Sequence, residues 1–148
     1  MEVQSDFREL LELLNEKQAD FIIVGAHALA FHGVPRYTGD IDIYVKPERE
    51  NAERVLGALE KFGFDNTGLS IEDFSEEDKI AQLGYPPARI DIMTSISGVS
   101  WEEAKDGSVK GAYGNVPARF LGKTEFVRNK KSTGRIKDLA DVEALGEL

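Results

Sequence analysis

The chain has 148 residues, of which 41% are hydrophobic, a formal net charge of −9 at pH 7 and no cysteine. This length and apolar content indicate one folded domain over residues 1–148, and the lack of cysteine excludes a disulfide framework or a thiolate zinc site. No apolar run approaches the roughly 20 residues that span a membrane. The first residues also lack the basic-then-apolar pattern of a signal peptide, so we expect a cytoplasmic protein that does not contact the membrane.

The charge is distributed unevenly along the chain. Residues 107–137 contain eight Lys or Arg residues and one acidic residue, whereas the remainder contains ten basic and 26 acidic residues. A basic segment in an acidic protein favours a small phosphate-bearing ligand or an RNA end over a long duplex. The alternative is an ordinary basic helix with solvated lysines.

In the first half of the chain, the hydrophobic pattern predicts alternating helices and strands. Apolar residues at helical spacing predict a helix over 4–18, and a short buried strand follows at 21–24. A second helix is predicted at 26–31 and a strand with alternating polar and apolar residues at 39–45. A proline then opens a long helix over 47–61.

The second half begins with an irregular polar stretch and then has weaker signals. The pattern predicts a strand hairpin at 79–83 and 88–93, a short helix at 101–106 and an edge strand at 116–121. Two closing helices are predicted at 122–131 and 135–147. The edge position of 116–121 is predicted because it contains Pro117, and proline is tolerated there. This order predicts an α/β (α+β) fold, a small mixed sheet with helices packed on it.

Two aspartates on the 39–45 strand are the most informative residues of the chain. Asp40 and Asp42 are two residues apart, so their side chains point the same way while Ile41 and Ile43 enter the core. Adjacent like charges are unfavourable unless a cation lies between them, and carboxylate oxygens suit magnesium. The pair therefore predicts a metal site for phosphate chemistry, with a solvated edge-strand face as the alternative.

A third aspartate lies in a similar setting on a later strand. The segment Arg89-Ile90-Asp91-Ile92 again flanks an aspartate with isoleucines. If this strand lies beside 39–45, Asp91 joins the first pair, and three carboxylates can hold two magnesium ions roughly 3.5–4 Å apart. The alternative is that Asp91 is bonded to Arg89 or to a turn.

A glycine lies where the 21–24 strand turns into a helix. Gly25 has no side chain, so a phosphate could approach the backbone, and the following helix N-terminus favours an anion. The alternative is a tight turn with no ligand. The surrounding sequence has neither the G-x-G-x-x-G pattern nor a P-loop, which excludes those two nucleotide-binding motifs.

Taken in order, Gly25-Ala26, Asp40-Ile41-Asp42 and the single Asp91 resemble the nucleotidyltransferase superfamily typified by DNA polymerase beta. The strings GAHALAFHGVPRYTGDIDIYV and GRIKDLADVEAL resemble the small bacterial nucleotidyltransferases of the abortive-infection toxin group. The resemblance implies a minimal nucleotidyltransferase fold with a C-terminal helical pair. It also implies magnesium-dependent transfer of a nucleoside monophosphate from ATP or another NTP to a hydroxyl group.

The resemblance implies a role for each candidate site residue. Asp40, Asp42 and Asp91 are the implied catalytic residues and metal ligands, and Asp91 could also be the base for the acceptor hydroxyl. The implied triphosphate contacts are Gly25, Ala26, Arg36, Thr38 and a basic clamp of Lys130, Lys131, Arg135 and Lys137. Lys137 is preferred within the clamp because it directly precedes Asp138 in the closing motif. Ala26 departs from the Gly or Ser that the superfamily usually has there, which removes one triphosphate contact.

The remaining polar candidates are interpreted as structural. Asp138 and Asp141 are expected to pair with Lys137 or Arg135. The two histidines suit no known zinc spacing and are expected in the core or in a turn.

The acceptor and the partners are left open. The resemblance implies a tRNA end, a protein hydroxyl or a small molecule as acceptor, a toxin–antitoxin pair as context, and either a partner protein or a homodimer. The alternative function is a catalytically inactive antitoxin or regulatory binding module on the same fold. The three aspartates favour the enzyme, and Ala26 favours the binding module.

Overall fold

The computed structural model describes residues 3–35, 38–64, 67–85 and 87–146. These residues form seven helices and six strands. In chain order they are α1 (Ser5–Glu16), β1 (Phe21–Val24), α2 (Gly25–Phe31), β2 (Asp40–Val45), α3 (Arg49–Phe62), α4 (Glu72–Ser75), β3 (Ile80–Leu83), β4 (Arg89–Met93), α5 (Trp101–Gly107), β5 (Val109–Tyr113), β6 (Val116–Phe120), α6 (Lys123–Thr133) and α7 (Ile136–Ala144). Within these ranges, every helix is too short or too polar to cross a membrane.

The six strands form one mixed sheet in the order β3-β4-β2-β1-β6-β5. The central strand β2 is antiparallel to β1 and parallel to β4. On the outer sides, β3 is antiparallel to β4, and β5 is antiparallel to β6. The predicted α/β fold with a small mixed sheet and helices packed on it is confirmed.

One face of this sheet carries the larger apolar core. Ile41 and Ile43 of β2 point into it, as the alternating pattern predicts. Helices α1 and α3 cover this face with apolar residues spaced three or four apart, which include the fully buried Phe7, Leu10, Leu11, Leu14, Val55 and Leu59. The polar residues of β2 must therefore lie on the opposite face.

The opposite face of the sheet carries a second, smaller core. Trp101 of α5 and Phe126 of α6 belong to one apolar cluster with Tyr44 of β2, and the Trp101 and Tyr44 rings meet edge to face at 5.2 Å. Side chains alternate along a strand, so Asp40 and Asp42 share this face with Tyr44. The aspartate pair thus lies beside the smaller core, among α2, α6 and α7.

The predicted hairpin at 79–83 and 88–93 is confirmed as β3 and β4, which are antiparallel neighbours. The predicted helix at 101–106 is confirmed as α5, with Ser100 and Glu103 forming a capping box at its start. The irregular polar stretch contains one short helix, α4, which the prediction lacked. Four residues are too few for a helical period to show in the sequence.

The prediction that 116–121 is an edge strand is wrong. This segment is β6, and β5, which was not predicted, lies outside it at the edge of the sheet. Pro117 is tolerated because β1 is short, and in the described residues the register between β1 and β6 consists of one pair, Ile23 opposite Phe120. Among the described residues, Pro117 has no strand partner on the side that faces β1, and its carbonyl accepts a hydrogen bond from Asn15 Nδ2 at 2.8 Å.

Candidate active site

The three predicted carboxylates meet on two neighbouring strands. In the parallel register of β2 and β4, Asp40 lies beside Arg89 and Asp42 lies beside Asp91. All three aspartates therefore project from the same sheet face. One carboxylate oxygen from each lies within 4.8 Å of the others. The predicted convergence of the three carboxylates is confirmed.

The electrostatics of this group show unbalanced negative charge. Burial raises the pKa of Asp42 to about 7, and the charges of Asp40 and Asp91 and a hydrogen bond shared with Asp91 add to the rise. Asp91 is only 4% exposed, and its Oδ1 has no hydrogen-bond partner among the described residues. A buried, unpartnered carboxylate oxygen within a group of crowded carboxylates fits the donor set that magnesium prefers.

The alternative contact predicted for Asp91 is also present. Arg89 Nη2 donates to Asp91 Oδ2 at 3.0 Å and to Asp40 Oδ2 at 2.7 Å. A single nitrogen thus bridges two of the three carboxylates. The ion pair and the carboxylate cluster, which the sequence presented as alternatives, coexist in the structure.

Gly25 is the first residue of α2 and lies against Asp42 of β2. Its φ of +66° lies in the left-handed region that favours glycine. A Cβ at this position would lie 2.1 Å from Asp42 Oδ2, so any larger residue would displace that carboxylate. The prediction attributed this glycine to close approach of a phosphate, and the structure adds that glycine makes room for Asp42.

Thr38 lies just before β2 and contacts the first aspartate. Its hydroxyl donates to Asp40 Oδ1 at 2.6 Å, and the Asp40 backbone N–H donates back to Thr38 Oγ1 at 3.3 Å. These bonds orient the Asp40 carboxylate. The predicted contact of Thr38 with a phosphate stays a prediction. Arg36, the other predicted contact in this segment, lies outside the described residues.

A polar cavity of about 380 Å³ extends from these residues to α6 and α7. Its lining consists of Gly25, Ala26, Thr38, Asp40, Asp42, Lys130, Arg135, Lys137 and Asp138. The glycine turn, two of the three clustered aspartates and three of the four predicted clamp residues therefore share one cavity. The fourth clamp residue, Lys131, is an exposed residue of α6 and does not appear in this lining.

Asp138 is buried behind the basic side chains and holds two of them. It is 1% exposed and accepts from Arg135 Nε at 2.7 Å, while Lys130 Nζ lies 3.4 Å from its other oxygen. Burial acts to raise the pKa of Asp138, but hydrogen bonds from Thr133 and Arg135 and the charge of Lys130 leave it below its ordinary value. Asp138 is thus an ionised anchor, and its predicted pairing with Arg135 is confirmed.

Comparison with known proteins gives a structural likeness only. No family model matches the sequence, and no curated protein matches it significantly. Among solved structures, a putative nucleotidyltransferase from Thermotoga maritima matches with a TM-score of 0.61 and 15% sequence identity, over 99% of this chain and 94% of that one. The chain has a nucleotidyltransferase-like fold. The narrower resemblance to the abortive-infection toxin group stays a prediction.

Within this nucleotidyltransferase-like fold, Lys130 is more buried than Lys137, the clamp residue that the sequence analysis preferred. The side chain of Lys130 is 14% exposed and its ammonium lies 5.4 Å from the centre of the Phe126 ring, whereas Lys137 is exposed. The sequence contains a signal for this, because Lys130 follows the apolar Phe126 by four residues and so shares its helix face. Lys137 was preferred on the closing motif alone.

Proposed function

We propose that the protein is a magnesium-dependent nucleotidyltransferase that moves a nucleoside monophosphate from an NTP to a hydroxyl acceptor. One observation carries the proposal: three carboxylate oxygens lie within 4.8 Å of one another, beside a cavity lined by Lys130 and Lys137. Carboxylates that can hold a divalent cation next to basic side chains that can hold a triphosphate are the two parts that phosphoryl transfer needs. The nucleotidyltransferase-like fold is consistent with this arrangement.

Asp40, Asp42 and Asp91 are the proposed magnesium ligands. The raised pKa of Asp42 and the unpartnered Oδ1 of Asp91 both support a cation at this position. Two magnesium ions, when bound, would offset the negative charge of the triphosphate and of the leaving pyrophosphate. Thr38 is proposed to fix the orientation of Asp40 through its hydrogen bond to Oδ1.

The reaction itself is a displacement at the α-phosphorus. The acceptor oxygen forms a bond to that phosphorus while the bond from the phosphorus to the bridging oxygen breaks, and pyrophosphate leaves with the bonding electrons. Asp91 is proposed to take the proton from the acceptor hydroxyl. Asp91 is buried beside the other two carboxylates, and its Oδ1 has no hydrogen-bond partner among the described residues, so this carboxylate has a lone pair available for that proton.

The triphosphate is proposed to lie along the cavity towards α6 and α7. Lys130, Arg135 and Lys137 contribute positive charge there, and charge-assisted hydrogen bonds of this kind are worth about 1.5–3 kcal/mol each. Ala26 supplies no hydroxyl, so Gly25 and Ala26 are proposed to contact phosphate through their backbone. Arg36 is proposed as a further phosphate ligand on the basis of the sequence.

The acceptor, the partners and the toxin–antitoxin context rest on the sequence resemblance. A tRNA end, a protein hydroxyl and a small molecule are the proposed acceptors, with ATP as the first nucleotide to test. The alternative, a non-catalytic antitoxin or regulatory module, is supported by Ala26 and opposed by the presence of all three carboxylates in one group.

A thermal-shift experiment separates these functions before the acceptor is identified. The wild type is melted in EDTA, in Mg²⁺, and in Mg²⁺ with each NTP, beside Asp40→Asn and the exposed control Asp106→Asn. We expect Mg²⁺-dependent stabilisation by at least one NTP in the wild type and in Asp106→Asn, and none in Asp40→Asn. The proposal fails if no NTP stabilises the wild type with either Mg²⁺ or Mn²⁺. Stabilisation without release of pyrophosphate, in the presence of RNA and protein acceptors, would support the binding module.

A further inference from the structure

One guanidinium nitrogen lies between two of the three carboxylates. Arg89 Nη2 is 2.7 Å from Asp40 Oδ2 and 3.0 Å from Asp91 Oδ2. The strand register explains this position, because Arg89 lies directly beside Asp40 and two residues before Asp91 on β4. All three side chains therefore project from the same sheet face.

Both bonds of Arg89 go to carboxylates of the proposed metal site. An arginine guanidinium is always protonated in proteins, so Arg89 carries a full positive charge. A divalent cation bound to the Asp40 and Asp91 carboxylates would repel that charge across a few ångströms. The guanidinium and the metal ion therefore compete for the same two carboxylates.

The guanidinium is otherwise weakly held. Arg89 Nε is buried without a hydrogen-bond partner among the described residues, and about a third of the side chain, 35%, is exposed to solvent. No other bond of Arg89 within those residues has to break when Nη2 leaves the carboxylates.

We propose that Arg89 is the resident cation of the metal-free triad, and that a metal ion binds by displacing its guanidinium. The inference rests on the proposed function, since it assumes that the three carboxylates bind a divalent metal. It adds that Arg89 lowers the affinity of the three carboxylates for a metal ion and stabilises the metal-free protein. The opposite role, in which Arg89 pre-orients the carboxylates for the metal, would make Arg89 raise the affinity.

Binding of Mn²⁺, measured from the electron paramagnetic resonance signal of the free ion, distinguishes the two roles without any activity assay. The proteins are the wild type, Arg89→Met, Arg89→Gln and the control Arg119→Met, which removes a half-buried strand arginine whose partner is Ser108. We expect both Arg89 variants to bind Mn²⁺ about tenfold more tightly than the wild type, the scale of one charge-assisted hydrogen bond. We also expect them to melt at a lower temperature without metal, and the control to match the wild-type Mn²⁺ affinity.

The outcomes separate this inference from the proposed function. If the wild type binds Mn²⁺ and the Arg89 variants bind it equally or more weakly, the inference is overturned and the proposed function stands. If neither the wild type nor any variant binds Mn²⁺, the proposed function fails and the inference fails with it.

A measurement on the wild type covers the case in which the variants do not fold. The Arg89 Nε–Hε signal in the NMR spectrum should shift as Mg²⁺ saturates the protein, whereas the Arg119 signal should not. An Arg89 signal that stays in place in protein shown to be saturated with Mg²⁺ would overturn the inference.

Discussion

Replacing Asp42 with asparagine should stabilise the metal-free protein, by an amount that grows as the pH rises. In the folded protein the pKa of Asp42 is raised from 3.8 to about 7, first by burial and then by Asp40 and Asp91. At about 1.36 kcal/mol for each tenfold change in proton affinity, this rise would cost about 4 kcal/mol once the group is ionised. Solvent and the nearby Arg89 screen the charge, so we expect a gain of about 1–2 kcal/mol.

The pH dependence follows from the direction of the shift. Between pH 4 and pH 7 the folded protein keeps a proton on Asp42 that the unfolded chain has lost, so wild-type stability falls as the pH rises through this window. Asparagine has no such proton, and its amide can donate to Asp91 at every pH. The advantage of Asp42→Asn should therefore be small near pH 4 and reach its full value above pH 7.

Denaturant unfolding in EDTA at several pH values between 4.5 and 8 measures the difference in free energy of unfolding, and thermal melting in the same buffers measures the difference in melting temperature. The control is Asp106→Asn on α5, since Asp106 is exposed. At pH 8 the gain should raise the melting temperature by about 2–8 °C for a chain of this size, and Mg²⁺ should stabilise the wild type but not the variant. A variant that is less stable than the wild type at pH 8, or an advantage that does not change with pH, would refute the reasoning.

Two further predictions concern the walls of the cavity. Gly25→Ala should lower the free energy of unfolding by about 1–3 kcal/mol in denaturant titration, because alanine would have a positive φ and would clash with Asp42. The variant should also bind Mn²⁺ more weakly. An unchanged free energy of unfolding together with an unchanged Mn²⁺ affinity would contradict the packing described. Lys137→Ala and Lys130→Met should each weaken binding of a fluorescent NTP analogue in Mg²⁺ by roughly one to two decades, whereas Lys110→Ala on β5 should not. Equal affinities in the wild type and all three variants would show that the basic clamp does not contact the triphosphate.

The part of the site that depends on strand alternation could be predicted from the sequence. Asp40 and Asp42 alternate with Ile41 and Ile43, and this local pattern alone decides which face each side chain takes. The pairing of Asp42 with Asp91 is different, because it depends on the register between two strands far apart in the chain. The isoleucines on either side of Asp91 suggested that register but could not determine it.

The elements that were missed had weak local signals. Strand β5 contains Lys110 and Gly111, residues that are depleted in strands, and it is defined by its pairing with β6. The relative burial of Lys130 and Lys137 was not predicted, because it also depends on how α6 and α7 pack, and the preference for Lys137 stays a prediction. The bridging position of Arg89 depends in the same way on a neighbouring strand.

A crystal structure with Mn²⁺ and a non-hydrolysable NTP analogue tests the central claim most directly. The account predicts an anomalous peak for manganese at about 2.0–2.3 Å from an oxygen of each of Asp40, Asp42 and Asp91. It also predicts the triphosphate in the cavity beside Lys130 and Lys137. Clear density for the nucleotide elsewhere, or a manganese peak that makes no contact with these aspartates, would contradict it.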